Sequence, residues 1–381
     1  MYNSKQLNKA NHPGVSLPFG RRHPTTTSNT AANYFSDDYT EQSYWQDQST
    51  PALPLINTLP QSVDVAVIGS GYTGLHTAIQ TSRGGRSTLV LEAGDPGHGC
   101  STRNGGQIST SIKPTLELLS KKYGMDKAVA IRKEGETALE WIEEFVQTES
   151  IECDFMRKGR FHAAHTPAQF DLIAAEADQL KKNEGIEAFV VHKSEQRSEL
   201  GTDVYHGGVV FPRHASLHAG KYHRGLLDSA IASGTQVIAS CPVLAIDRVS
   251  ESGDAQFRIE TGQGTISARD VMIATNGYTS NLTPWFHRRI IPIGSYIIAT
   301  EQLDEGLMDE LFPTDRIASD TCRVVYYYRA SPDRSRVLFG GRVSANETDP
   351  RISGPRLHTH CLLYTSPSPR DATLSRMPSS A

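Results

Sequence analysis

Cysteine is scarce: five residues in 381, Cys100, Cys153, Cys241, Cys322 and Cys361, with no CxxC spacing among them. That scatter argues against a disulfide framework or a cysteine-held metal and for reduced thiols, so a cytoplasmic setting is expected. No apolar run is long enough to span a bilayer, and no membrane span is expected. The opening MYNSKQLNKANHPGVSLPFG lacks the apolar core of a secretory signal. A basic excess is missing too: 38 Lys and Arg stand against 42 Asp and Glu, a formal net charge of -4, so no nucleic-acid partner is expected. No Ser/His/Asp arrangement and no metal-ligand spacing stands out, so no metal is expected and no catalytic side chain is assigned.

What the chain has is glycine, 31 residues of it, and one cluster is placed for chemistry. In VDVAVIGSGYTGLHTAI, residues 63–79, an apolar strand-like run feeds into Gly69, Gly71 and Gly74 and then into a helical pattern. The first glycine makes the tight strand-to-helix turn. The second lets backbone approach a pyrophosphate, and the third lets the helix lie against the strand. The phosphates then meet a helix N-terminus, whose free N–H groups and positive dipole end favour anions. A second buried run, STLVLEAG, follows at βαβ distance and ends in Glu92, about twenty residues on, where a carboxylate accepts hydrogen bonds from a ribose diol. A dinucleotide pocket is expected.

The fold class expected is α/β (α+β). Residues 1–60, rich in Ser, Thr, Asn, Gln and Pro, read as a partly disordered N-terminal arm with Tyr34, Phe35, Tyr39, Tyr44 and Trp45 as its aromatics, the last two able to anchor it. Residues 61–150 form the first part of a Rossmann-like domain, ending in two helices broken at Gly124; a further helix closes at Gly185. Strand-like pieces GRFHAAHT, YHGGVVFP, SYIIATEQL, RVVYYYRA and RVLFGGRV read as one antiparallel sheet. It divides into a substrate domain at 151–212 and 286–360, inserted around the second Rossmann part at 213–285. The site is expected at the seam.

These residues resemble the FAD-dependent oxidoreductases of the D-amino-acid oxidase type, in the branch of γ-glutamylputrescine oxidases and glycine or sarcosine oxidases. The resemblance spans residues 43–360 and rests on SYW at 43–45, the glycine fingerprint, LEAG at 91–94, STRNGGQ at 101–107, SLHAGKY at 216–222, ATNGY at 274–278, and YYYRA with LFGGR. It implies FAD as cofactor, with Gly69, Gly71, Tyr72, Thr73 and Gly74 on the pyrophosphate and Glu92 and Ala93 at the adenosine ribose. Ser101, Arg103, Asn104, Gly105, Gly106 and Gln107 would lie along the pyrophosphate, ribityl chain and flavin ring. Val243 matches an adenine contact, and Thr275, Asn276 and Gly277 a loop closing over the cofactor. The chemistry agrees: Gly105 and Gly106 present N–H groups without Cβ obstruction, and Arg103 can offset phosphate charge.

The implied reaction is oxidation of a C–N bond in a small amine or N-substituted amino acid, with O2 or an electron carrier as acceptor. Arg329 and Tyr327 are the substrate-binding candidates, a carboxylate clamp and a frame for the amine. Alternation sets them on the face opposite Tyr326 and Tyr328. His162, His206 and His218 are pocket candidates by position only. Alternative readings are a dehydrogenase feeding a quinone or carrier, a nicotinamide enzyme disfavoured by STRNGGQ, and a non-catalytic nucleotide-binding protein. From Cys361 the text CLLYTSPSPRDATLSRMPSSA loses all apolar period and reads like translated sequencing adapter, so residues 361–381 are expected to be non-native. Relatives continue there with a Gly-rich segment, so weak flavin retention and low stability are expected of this chain.

Overall fold

The computed structural model describes residues 39–47, 56, 58–253, 256–344, 357 and 361. Tyr34, Phe35 and nearly all of the tail expected to be non-native lie outside the described residues.

A single turn, α1 (Tyr44–Asp47), precedes β1 (Ser62–Ile68), which runs into α2 (Tyr72–Arg83) and β2 (Thr88–Leu91). The two-residue β3 (Gln107–Ile108) leads to α3 (Leu116–Tyr123) and α4 (Met125–Thr148), separated at Gly124, whose φ of +84° no ordinary residue adopts readily. Next come β4 (Arg160–Ala163), α5 (Pro167–Glu184), β5 (Phe189–Val191), β6 (Gly208–Phe211) and β7 (Ala215–Ser216). Thr166 caps α5 by accepting from the Gln169 N–H, and Gly185 ends it in a left-handed conformation. The chain continues with α6 (Ala219–Ala232), β8 (Gln236–Ile238), β9 (Val243–Arg248), β10 (Phe257–Thr261) and β11 (Gly264–Ile273). It closes with α7 (Pro284–His287), β12 (Gly294–Ala299), α8 (Glu305–Leu311), β13 (Ile317–Asp320), β14 (Tyr327–Ala330) and β15 (Val337–Ser344).

These strands form two large sheets, each drawn from two separate stretches of sequence. The first has six strands in the order β8-β2-β1-β11-β10-β9, and its first four are parallel. Parallel strands are covered on both faces and need apolar residues at successive positions. Accordingly β2 is buried throughout. Val65, Val67 and Val90 pack with Leu75, Ile79 and Leu226 of α2 and α6, while Ala66, Ile68, Leu89 and Leu91 meet Ile259 and Ile266 on the other side.

The second sheet has seven strands in the order β12-β15-β14-β13-β4-β6-β5. All five strand-like segments read from the sequence join it, together with β5 and β13. It is antiparallel except where β4 and β13 run parallel. RVVYYYRA becomes strand only from Tyr327, because Asp320 Oδ1 accepts the N–H groups of Cys322 and Tyr326 and folds the intervening residues into a turn.

The strand order positions the site. From β1 the chain moves through α2 to β2 on one side, whereas β11 lies on the other, so the order reverses between β1 and β11. In open α/β sheets ligands bind at such a point, outside the carboxyl ends of the strands.

Candidate cofactor and active site

At the end of β1 the glycines are required by space. A Cβ on Gly69, at φ +105°, would lie 2.7 Å from the Ala274 carbonyl oxygen at the end of β11, and one on Gly74 would lie 2.0 Å from the Gly69 oxygen. At Gly71 it would come within 3.0 Å of Ser101 Oγ. Gly71 is the N-cap of α2 and offers no side chain to the helix N–H groups. The Tyr72 N–H donates to Ser101 Oγ at 3.1 Å; Thr73 and Gly74 follow before the first bond of the helix, Leu75 N–H to Gly71 O at 2.9 Å. Such a terminus presents donors and a positive dipole end.

Glu92 reaches this turn from the end of β2. Its Oε2 accepts the Ser70 N–H at 2.9 Å and the Ser70 hydroxyl at 2.7 Å, and its Oε1 accepts the Gly94 N–H at 3.1 Å. Ala93 beside it is exposed. The Cys241 N–H donates to the Glu92 carbonyl, which brings Val243, at the start of β9, to the same rim. After β11, Thr275 is the N-cap of a single helical turn at Asn276–Tyr278 that includes Gly277, held by the Thr275 and Thr279 hydroxyls 2.7 Å apart. Tyr278, next in line, packs against Gly99 and approaches Cys100 Sγ at 3.4 Å; burial and that thiol push its phenol up to about 12.

Part of the loop at residues 97–107 is held by Asn104 within the loop itself. Asn104 accepts the Gly106 N–H at 2.8 Å through Oδ1, and its amide donates to the carbonyls of Cys100 and Ser101. Arg103 is exposed and donates through Nε to the His98 carbonyl at 2.7 Å. Gln107 pairs with Ser216 in a short ladder and donates to the Tyr328 carbonyl at 3.3 Å. Gly106, at φ +62°, has no room for a side chain: a Cβ would lie 2.3 Å from the Leu217 oxygen.

The seven-stranded sheet presents a polar face to this loop. The Tyr327 ring lies against Gly105 and Gly340, and its hydroxyl is 3.3 Å from Ser295 Oγ. Arg329, 2% exposed, donates through Nη1 to the carbonyls of Gly106 and Leu217, both at 3.0 Å, and through Nε to Ala330 O. Its Nη2 has no hydrogen-bond partner, and burial pulls the guanidinium down to about 10. The guanidinium expected to be open to a substrate carboxylate is therefore largely engaged by loop backbone, with one nitrogen left over. Tyr328 turns the other way, 1% exposed, its hydroxyl donating to that of Tyr205 at 3.0 Å. Along the same row His162 Nδ1 lies 3.0 Å from Ser319 Oγ, and burial with the nearby Arg160 and Lys113 lowers its pKa to about 3.

The other histidines diverge. His206 has Lys193 and His165 as its charged neighbours. His218 caps α6, accepting the Lys221 N–H at 3.1 Å, and its ring meets Trp45 edge-on with centroids 4.8 Å apart. His223, which nothing in the sequence singled out, has its Nε2 2.7 Å from the Ser70 carbonyl within the glycine turn. A cleft of about 530 Å³ bordered by Ser150, Lys221, Arg224 and Asp228 shares no residue with this constellation.

Comparison with known proteins fits this geometry. Residues 64–366 match the family described as DAO, FAD dependent oxidoreductase. The chain belongs to that family, and FAD is its cofactor. The protein named "Probable oxidoreductase OrdL" in Haemophilus influenzae is 30% identical over 345 residues, covering 87% of this chain and 78% of the relative. The gamma-glutamylputrescine oxidoreductase of Escherichia coli is 29% identical over 322 residues, covering 83% and 74%. Among solved structures, glycine oxidase from Geobacillus kaustophilus superposes with a TM-score of 0.59 at 17% identity, over 76% of this chain and 74% of that one. L-proline dehydrogenase from P. horikoshii gives 0.62 at 15% identity, over 79% and 76%. At these identities the two structures speak for the fold.

The residues present fit the cofactor. Three glycines whose Cβ positions are crowded, a helix N-terminus with glycine at its N-cap and a carboxylate at the tip of β2 are the donor, acceptor and shape requirements of a dinucleotide. No helix among the described residues is long and apolar enough to cross a membrane.

Proposed function

We propose that this FAD-dependent oxidoreductase oxidises the C–N bond of a small amine or N-substituted amino acid, of the γ-glutamylputrescine kind, with O2 as acceptor. Bound FAD would supply the hydride acceptor for the carbon next to a neutral amine, and water would hydrolyse the resulting imine. The chain's part is to hold, orient and exclude water. Residues 69–74 and 92 would hold the pyrophosphate and adenosine ribose, residues 101–107 the reactive half, and Val243 with residues 275–277 the rim. The observation that carries the reading is the meeting of Tyr327 and Arg329 of the seven-stranded sheet with Gly105 and Gly106 of the loop.

We read that meeting as the substrate face. The Tyr327 ring supplies an apolar wall with a hydroxyl at its edge, suited to framing an amine. Arg329 Nη2 is buried without a hydrogen-bond partner, and a substrate carboxylate would reach it only by displacing its cover, while the rest of the guanidinium braces the loop. The relative named gamma-glutamylputrescine oxidoreductase supports the substrate class. The test is an amine panel with peroxide detection. Peroxide formed with γ-glutamylputrescine or an N-alkyl amino acid supports the proposal. Reduction of FAD by such amines without rapid reoxidation in air would assign the acceptor to a quinone or carrier, and no reduction by any amine would reject it.

A further inference from the structure

Residues 43–46 lie outside the stretch that matches the family, yet they make several side-chain hydrogen bonds to the loop at residues 97–107. Ser43 Oγ donates to the Thr102 carbonyl and Trp45 Nε1 to the Asn104 carbonyl, each at 2.6 Å. Gln46 Nε2 donates to the Gly97 carbonyl at 3.0 Å and to the Thr102 hydroxyl at 2.8 Å, while its Oε1 accepts from Arg103. The Trp45 ring, 2% exposed, is wedged between loop and body. A Cβ on Gly106 would lie 3.2 Å from its Cζ2, the Arg329 guanidinium sits 5.9 Å from its centroid, and a Cβ on Gly220 of α6 would lie 2.3 Å from its carbonyl.

A loop with four glycines costs backbone entropy to order, and outside contacts must supply what its own sequence does not. Arg329 holds the Gly106 end from the substrate sheet, and the N-terminal turn holds the Gly97 to Asn104 end. We infer that residues 43–46 form a positioning clamp that keeps the FAD-facing backbone of this loop in its binding shape, with Trp45 Nε1 as the main contact. The inference rests on the assignment of residues 101–107 to the cofactor. Trp45 acts through Asn104 and not on substrate.

The test uses the full chain stripped of FAD, with Trp45→Phe, which keeps an aromatic ring but removes the N–H, and Ser43→Ala. Two quantities are read: FAD affinity by titration, and the rate of tryptic cleavage after Arg103 in the FAD-free protein, with cleavage at Lys121 and Lys122 on α3 as the internal control. The clamp predicts about tenfold weaker FAD binding for Trp45→Phe, a smaller loss for Ser43→Ala, and faster cleavage at Arg103 than at the control sites. Equal acceleration at all three sites would mean general loosening and would overturn the clamp, as would FAD affinity and Arg103 cleavage within twofold of the unaltered chain. If the unaltered chain bound no FAD, the site assignment would fail on its own, and the clamp would then stand or fall on cleavage at Arg103.

Discussion

The glycine turn at residues 69–74 and the loop at residues 97–107 meet at Ser101, yet they are held in different ways. The turn is made chiefly by its neighbours in sequence: β1 enters it, α2 leaves it, and Glu92 returns to it from the next strand, with Ala274 and His223 as its remote contacts. The loop depends on distant residues, Trp45 on one flank, Leu217 behind it, and Tyr327 and Arg329 across the sheet. A site whose contacts are local can tolerate change elsewhere in the chain. One assembled from remote pieces fails whenever any piece shifts.

The largest effect expected is at the turn. Gly74→Ala places a Cβ 2.0 Å from a backbone oxygen that has no freedom to move. It should destabilise the fold by about 3 kcal/mol and abolish copurifying flavin, as read by thermal unfolding and visible absorbance. Normal flavin content in this variant would break the assignment of the turn.

Acid should then weaken the seven-stranded sheet most, although burial lowers His76 of α2 as well, to about 4. On the sheet side, burial above all, with Arg160 close by, lowers His162 and His214 from 6.5 to about 3. Because the folded state keeps these rings neutral while the unfolded chain binds protons from about pH 6.5 downward, their stabilisation is complete above that pH and is lost as pH falls toward 3. At pH 5 the loss is about 2 kcal/mol for each. Urea unfolding at pH 7.5 and pH 5 should show a lower midpoint in acid, and His214→Gln should flatten the dependence.

A smaller loss is expected from Glu92→Gln. It keeps the shape but removes a charged acceptor for Ser70, and FAD affinity should fall about tenfold with little change in unfolding midpoint. Smallest in stability is Arg329→Met. It removes bonds to the Gly106, Leu217 and Ala330 carbonyls but also a buried charge, so the net change should stay within about 1 kcal/mol. Its effect should appear instead as a raised KM for a carboxylate-bearing amine, with a smaller change for one lacking the carboxylate.

The same contrast explains what could be read from the sequence. The meeting of Gly69, Gly71, Gly74 and Glu92 at one turn is legible because it follows from local backbone geometry and a fixed spacing. The alternation that separates Tyr327 and Arg329 from Tyr328 is legible because strand period is local too. The parallel β4/β13 pair was not, since pairing direction is set by chain paths more than a hundred residues apart. Arg329 was read as open to substrate because its residue type gave no hint that Gly106 and Leu217 would take two of its hydrogen bonds. His223 carries no sequence signal at all; its contact with Ser70 exists only once α6 is packed against the turn.

The most direct test of the site as a whole is hydrogen–deuterium exchange on the FAD-free chain before and after FAD is added. The account predicts new protection at residues 69–76, 97–107 and 274–279 together, reflecting one cofactor held by both the local turn and the remotely braced loop. Protection at the turn with none at residues 97–107 would contradict it.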